Sequence, residues 1–455
     1  MLILLSDGAG LTSRQAATVL ARAGHQVEAL SPRGLCLCRM TRHVRRVHDV
    51  PPVGRDPFGW LDAALGIAAR RGADVLLPVQ EQVAVMALGR DRIEAAGLAT
   101  AVPSFQALAQ VQDKVSAHRT LARIGVPQPP AVIAASAAEL ADAAARLAAG
   151  GEGTPLRLPA FAKTPVGTAS AGVRRVSSPE ELRRLAADWD GQDAFGQGGV
   201  LVQQPVAGPL VMVQSVFAGG ELVAFGACER VREGSAGGSS HKLGRPWPQA
   251  REHLARLGAA LGWHGALSAD VIDGPDGPMF IDINPRLVEP ANALACGVDL
   301  TGALVEVAMS GRARASAAGP GTVRPQPDGV PGARTHQLLL AVLGAAQGGR
   351  RRDVARELAD AARRRGTYRG SQEELTPGGG DLLAPVPVAV AALATLISPP
   401  AWRWFVGGSA GAYSLTPAAW GELTATARAL VAPGPQAGRR GGHPGRPGDQ
   451  EISLR

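Results

Sequence analysis

Met279-Phe280-Ile281-Asp282-Ile283-Asn284-Pro285-Arg286 is the stretch on which the reading of this chain turns. An earlier run, Ala266-Leu267-Ser268-Ala269-Asp270-Val271-Ile272, is joined to it by the turn Asp273-Gly274-Pro275-Asp276-Gly277, so the two pair as a hairpin. Alternation along a strand sends Asp282 and Asn284 to one face, with Asp270 on the partner strand. Three oxygen donors therefore converge. Mg²⁺ takes one or two carboxylates and completes its shell with phosphate oxygens and water, so this cluster suits a nucleotide-bound metal. Arg286 follows the strand end, and its planar fork suits a phosphoryl group. Asp-x-Asn alone would be an ordinary polar strand face; Asp270 and the lysines give it weight.

Only three of the 47 basic residues are lysines: Lys114, Lys163 and Lys242. A general bias toward arginine explains the excess of Arg but not where these three stand, and a compact ammonium is the better partner where a point charge must meet a phosphate. Lys114 falls in the first turn of a helix predicted over 113–124 and stopped by Gly125. Lys163 ends the apolar strand Pro159-Ala160-Phe161-Ala162-Lys163 and precedes a Gly/Ser/Thr loop whose N–H groups can wrap anionic oxygens. Gly199-Val200-Leu201-Val202-Gln203-Gln204-Pro205-Val206 is a strand running into a short linker, an edge suited to an adenine.

Around these motifs the chain divides by pattern. Residues 1–105 read as an open parallel α/β domain: strands at 2–5, 26–30 and 74–78, helices at 14–23, 57–71 and 80–96. Its first loop, Asp7-Gly8-Ala9-Gly10, lacks the third glycine of a dinucleotide fingerprint and reads as a tight strand-to-helix turn more readily than as a nicotinamide site. Residues 106–311 form a mixed α+β block with a lid subdomain near 124–200. A linker at 312–333, a mainly helical region at 334–431 and a disordered tail at 432–455 follow.

Composition narrows the function. Net charge is +8, yet aromatics make up 4% and basic residues are not clustered with them, which argues against nucleic acid as a partner. Four scattered cysteines make neither a disulfide framework nor a zinc site and fit a reducing cytoplasm. The N-terminal Met1-Leu2-Ile3-Leu4-Leu5 has no basic flank and reads as a strand rather than a signal peptide. The segment from Leu382 to Trp402 carries no charge, but its prolines argue for buried or surface-associated helices over a membrane span, with peripheral membrane contact through 382–404.

In their order along the chain these residues resemble the ATP-grasp superfamily, whose members include biotin carboxylase, carbamoyl phosphate synthetase and D-alanine:D-alanine ligase. The resemblance covers residues 1 to about 310. It implies an α/β domain followed by an ATP-grasp fold, with ATP and Mg²⁺ as cofactors. Lys114 and Lys163 then correspond to the nucleotide-phosphate lysines and Gln203, Gln204 and Val206 to the adenine hinge. Asp270, Asp282 and Asn284 correspond to the metal ligands and Arg286 to the catalytic arginine. The Arg230–Lys242 stretch is similar to a loop in a carboxylate-amine ligase branch, which makes Lys242 the candidate for binding substrate carboxylate or γ-phosphate. Two positions depart from the pattern: Asp282 stands for the usual glutamate of Glu-x-Asn, and Gln204-Pro205 for an acidic-aromatic pair.

The implied activity is an ADP-forming ligase that activates a small-molecule carboxylate as an acyl phosphate and couples it to an amine or similar nucleophile. Two other readings stay open on the residues: a nucleotide-binding protein without turnover, allowed by the departures, and a nicotinamide-dependent oxidoreductase, suggested by the first βαβ unit.

Overall fold

The computed structural model describes residues 1–149, 153–167, 172–196, 198–315, 323–375 and 380–431. The tail at 432–455, part of the linker and part of the loop after Lys163 lie outside the described residues. Three sheets follow one another along the chain.

The first sheet is β1 (Leu2–Leu5), β2 (Gln26–Ser31), β3 (Arg46–Asp49) and β4 (Val75–Leu77), all parallel, in the order β3-β2-β1-β4. An unbroken apolar run such as Leu-Ile-Leu-Leu needs cover on both faces, which a parallel sheet receives from its crossover helices. Ile3 and Leu5 bury against Ala16, Ala17 and Leu20 of the Leu11–Arg22 helix, and Leu4 against Trp60, Leu61 and Ala64 of the Pro57–Arg71 helix. The helix expected at 80–96 is two, Val83–Leu88 and Arg90–Ala95. They meet at Gly89, where a Cβ would stand 2.3 Å from a Leu61 methyl.

The second sheet is β5 (Ala131–Ala134), β6 (Ala160–Lys163), β7 (Val173–Val176) and β8 (Val200–Gln203), antiparallel in the order β5-β8-β6-β7. Two helices, Ala137–Ala148 and Pro179–Asp190, cover one face with Leu140, Ala144, Leu182, Ala186 and Trp189. Each starts on a serine whose hydroxyl accepts from the N–H of a glutamate three residues on.

The third sheet comprises β9 (Leu210–Ala218), β10 (Glu221–Glu233), β11 (Ser239–Gly244), β12 (Gly265–Gly274), β13 (Gly277–Asn284), β14 (Arg334–His336) and β15 (Gln372–Glu373). Their order is β13-β12-β9-β10-β11-β14-β15, antiparallel except between the last two. Two features differ from expectation. Ser239–Gly244 is a strand rather than a loop, and the helical C-terminal region contributes β14 and β15 to this sheet. In the uncharged segment Pro385 sits just before one helix, Val386–Ile397, and Pro399-Pro400 form a short turn before another, Trp402–Tyr413. Among the described residues no helix is long and apolar enough to cross a membrane.

Candidate active site

β12 and β13 set Asp270 and Asp282 directly opposite each other, with Ser268 facing Asn284. Between Asp282 and Phe280 the register slips by one residue, leaving Ile281 as a bulge. A bulged residue has no ladder partner, and the Ile281 carbonyl instead accepts from Lys163 Nζ at 2.8 Å. Ser268 Oγ donates to the Arg286 carbonyl at 2.7 Å and fixes the backbone just past the strand. Burial, and then the facing Asp282, push the Asp270 pKa up to about 6, with Lys163 and Arg286 pulling it back. Two half-buried carboxylates short of positive charge, beside an amide oxygen, are a donor set a divalent cation would satisfy. Among the described residues no three His, Cys, Asp or Glu side chains gather as a metal group, so such an ion would take its remaining ligands from phosphate and water, as Mg²⁺ does.

Lys163 is the last residue of β6. Alternation puts Ala160 and Ala162 into the second sheet's own core and Lys163 on the opposite face, toward β13. Its ammonium also donates to Gln203 Oε1 at 2.7 Å. Burial lowers its pKa, opposed by Asp282 and Asp270 and reinforced by Lys114, so all four groups share one field. Lys114 opens the Lys114–Ile124 helix behind its cap, Asp113, which accepts from the Ser116 N–H at 2.8 Å. Its backbone N–H donates to Pro165 O at 3.0 Å and its Nζ to Gly167 O at 3.2 Å, pinning this helix end to the loop that follows Lys163.

Gln203 is buried against Lys163, whereas Gln204 is partly exposed, its N–H bonded to Pro130 O at 2.9 Å and its side-chain amide to Arg157 O. Val206 lies half-buried, where a Cβ on Gly274 would come within 3.0 Å of it. Just beyond, Gly208 has φ +146° and passes so close to β12 that a Cβ would lie 2.1 Å from the Asp273 carbonyl oxygen. Only glycine allows this approach.

Lys242 is placed differently from expectation. It sits mid-strand in β11, 1% exposed, donating to Glu289 Oε2 at 2.6 Å and Glu374 Oε2 at 2.7 Å. Burial lowers its pKa, but the two carboxylates outweigh it and the net shift is upward. An ammonium so neutralised is not presented to a substrate anion. The sequence could not show this, because its partners lie 47 and 132 residues away.

Lys114, Asp270, Asp282, Asn284 and Arg286 line one cavity of about 460 Å³. A smaller chamber of about 30 Å³ adjoins it and shares Lys114, Asp282, Asn284 and Arg286. Other polar residues line the large cavity without having been singled out, among them Arg39, Glu81, Glu289 and Tyr413. Arg286 Nη2 is 4.0 Å from Glu81 Oε1. Glu289 adopts φ +55°, held by N–H donation to Thr12 Oγ1 and by Lys242 and Gln337 on its carboxylate. Burial pushes the Tyr413 pKa up to about 12 against the pull of Arg286. Glu289, three residues past Arg286, carried a signal in its nearness; Tyr413 carried none. In the first domain, Asp7 fills the strand-to-helix turn: Oδ2 accepts from Gly10 N at 2.8 Å and Ser13 Oγ at 2.6 Å. A carboxylate where a pyrophosphate would rest removes support for a nicotinamide site.

A parallel α/β sheet, a four-stranded antiparallel sheet and a long sheet bearing an acidic hairpin, meeting over one cleft, make the ATP-grasp fold. No protein-family model matches the chain. It is 26% identical over 295 residues to the formate-dependent phosphoribosylglycinamide formyltransferase of Methylococcus capsulatus, covering 61% of this chain and 68% of that one. It superposes on the biotin carboxylase domain of Hydrogenobacter thermophilus 2-oxoglutarate carboxylase, solved with MgADP, ADP and bicarbonate, with a TM-score of 0.52, 19% identity, and 68% and 69% of the two chains covered. N5-carboxyaminoimidazole ribonucleotide synthetase of Thermus thermophilus gives a TM-score of 0.52 at 19% identity, covering 73% of this chain and 81% of that one.

Proposed function

We propose that this chain is an ATP- and Mg²⁺-dependent, ADP-forming ligase that activates a carboxylate and joins it to an amine or similar nucleophile. The observation that carries the reading is the lining of one cleft by Lys114, Asp270, Asp282, Asn284 and Arg286, with Lys163 buried beside them against the Ile281 carbonyl, four separate segments in all.

Lys114 and Lys163 bind the nucleotide phosphates, and the Gln203–Val206 linker borders the adenine. Asp270, Asp282 and Asn284 would hold Mg²⁺, which would screen phosphate charge when bound. A substrate carboxylate oxygen attacks the γ-phosphorus while the bond to the bridging oxygen breaks and ADP leaves with the electron pair. Arg286 and Lys163 neutralise charge on the transferred group. The amine nitrogen then attacks the acyl carbon, its C–O bond to phosphate breaks, inorganic phosphate departs and the nitrogen gives up a proton. Enclosing the acyl phosphate within the cleft keeps water from it.

Purified protein with ATP, Mg²⁺ and hydroxylamine as a general nucleophile tests the reading. Release of ADP that depends on an added carboxylic acid, with hydroxamate formed in equal amount, is the expected result. Binding of ATP without any acid-dependent turnover would leave a nucleotide-binding protein instead. Exposed Leu382, Leu393, Ile397 and Trp404 also support peripheral membrane contact through 382–404; failure of the protein to cosediment with anionic or neutral vesicles counts against it.

A further inference from the structure

The cavity is far more apolar than phosphate chemistry requires. From the acidic hairpin it runs between three helices of the C-terminal region, and each turns the same kind of stripe toward it. Leu338–Gln347 presents Leu339, Leu340 and Leu343, and Val386–Ile397 presents Val386, Pro387 and Val390. Trp402–Tyr413 presents Phe405, Val406, Ser409, Ala410 and Tyr413. Residues three and four apart lie on one helix face, so these are inward faces. The Trp402–Tyr413 helix has no buried residue. Its inner face is shared between the cavity and protein: Phe405 and Val406 also touch the small core of Leu339, Leu343, Leu375 and Ala391, and Ser409 Oγ donates to the Ala9 carbonyl. Leu11, Leu35 and Leu37 of the first domain close the remaining side.

At the opposite end of the same cavity stand Arg286 and the two aspartates, with Val288 and Met212 at the transition; Met212 pairs with Asp270 across the sheet. We infer that this apolar arm receives the body of the acid substrate, and that the acid is a monocarboxylate bearing an extended aliphatic or aromatic group. The inference rests on the ligase reading above. The carboxylate sits beside Arg286, where phosphoryl transfer takes place, and the apolar body lies among the three helices. A second carboxylate at the far end of the body would have to leave water among these apolar side chains, which selects against dicarboxylates. The occupant completes the packing that the Trp402–Tyr413 helix leaves open, in a pocket of the size that takes small-molecule ligands.

Full-length protein is assayed for hydroxamate formation with ATP, Mg²⁺, hydroxylamine and acetate, butyrate, hexanoate, octanoate or decanoate, with the eight-carbon dicarboxylate suberate as the charge control. The expected result is a kcat/KM that rises with chain length, by up to about fourfold per methylene while the arm fills, and octanoate favoured over suberate. Ala410→Trp, on the helix with no buried residue, lowers the octanoate-to-acetate ratio by about tenfold or more, whereas Phe405→Ala moves the optimum to a longer acid. Turnover that is best with short or polar acids and unmoved in ratio by both variants overturns this inference and leaves the ligase intact. No hydroxamate from any acid, with ATP still bound, overturns both.

Discussion

At the scale of single residues, the pairing of Asp270 with Asp282 makes a prediction about pH. A carboxyl whose folded pKa stands near 6 rather than 3.8 opposes folding once it ionises, so the metal-free protein loses this contribution as pH rises from about 4 to about 6. At the proposed site Mg²⁺ would take the proton's place. Thermal melts should show a larger Mg²⁺-induced rise in Tm at pH 7 than at pH 5, and equal rises at both would place the ion elsewhere. Lys163→Met removes the ammonium held between Gln203 and the Ile281 carbonyl; kcat/KM for acid-dependent ADP release should fall by about 10²–10³-fold. The facing of Asp270 and Asp282 was legible because the hairpin turn and period-two alternation are local properties of the sequence. The bulge at Ile281 was not, since no side chain on either strand announces an extra residue, yet it is what frees a carbonyl for Lys163.

Elements show where local reading stops. Ser239–Gly244 looks like a surface loop because two glycines and two serines lead into it, but pairing with β10 on one side and β14 on the other makes it an interior strand. Tertiary contacts override composition there. Lys242 consequently acts as a strut joining β11 to Glu289 at the cavity rim and to Glu374 just after β15. Removing one partner of a buried ionic cluster leaves charge uncompensated, so Lys242→Met should destabilise the fold by about 3–5 kcal/mol in denaturant titrations. A variant that melts like the parent but has lost turnover would instead return this lysine to the chemistry. In the 382–402 segment, by contrast, Pro385, Pro399 and Pro400 do stand at interruptions, because they act through local backbone geometry, whereas Pro387 is accommodated in the first turn of the Val386–Ile397 helix.

Across the whole molecule, the C-terminal region is stitched back to the first domain at several points. Asp381 accepts from Arg14 at 3.2 Å and Thr41 at 2.5 Å, Glu81 accepts from the Leu415 N–H at 2.7 Å, and Gln15 donates to Glu374 at 2.9 Å. None of these long-range bonds has a sequence signature, which is why the role of 334–431 could not be read from the sequence. A chain ended at residue 333 loses β14, β15 and Glu374, one of the two partners of Lys242, together. It should fail to give a cooperative melt and collect in the insoluble fraction; a truncated chain that stays soluble and unfolds in one sharp step would mean that the contacts are decorative.

The three helical stripes lie after residue 338 and the groups proposed to handle phosphate before residue 290. Selection could therefore rewrite one stretch of the gene without disturbing the other, diversifying what is accepted while conserving how it is energised. Libraries restricted to the inward positions of those helices are accordingly the economical place to retarget this enzyme.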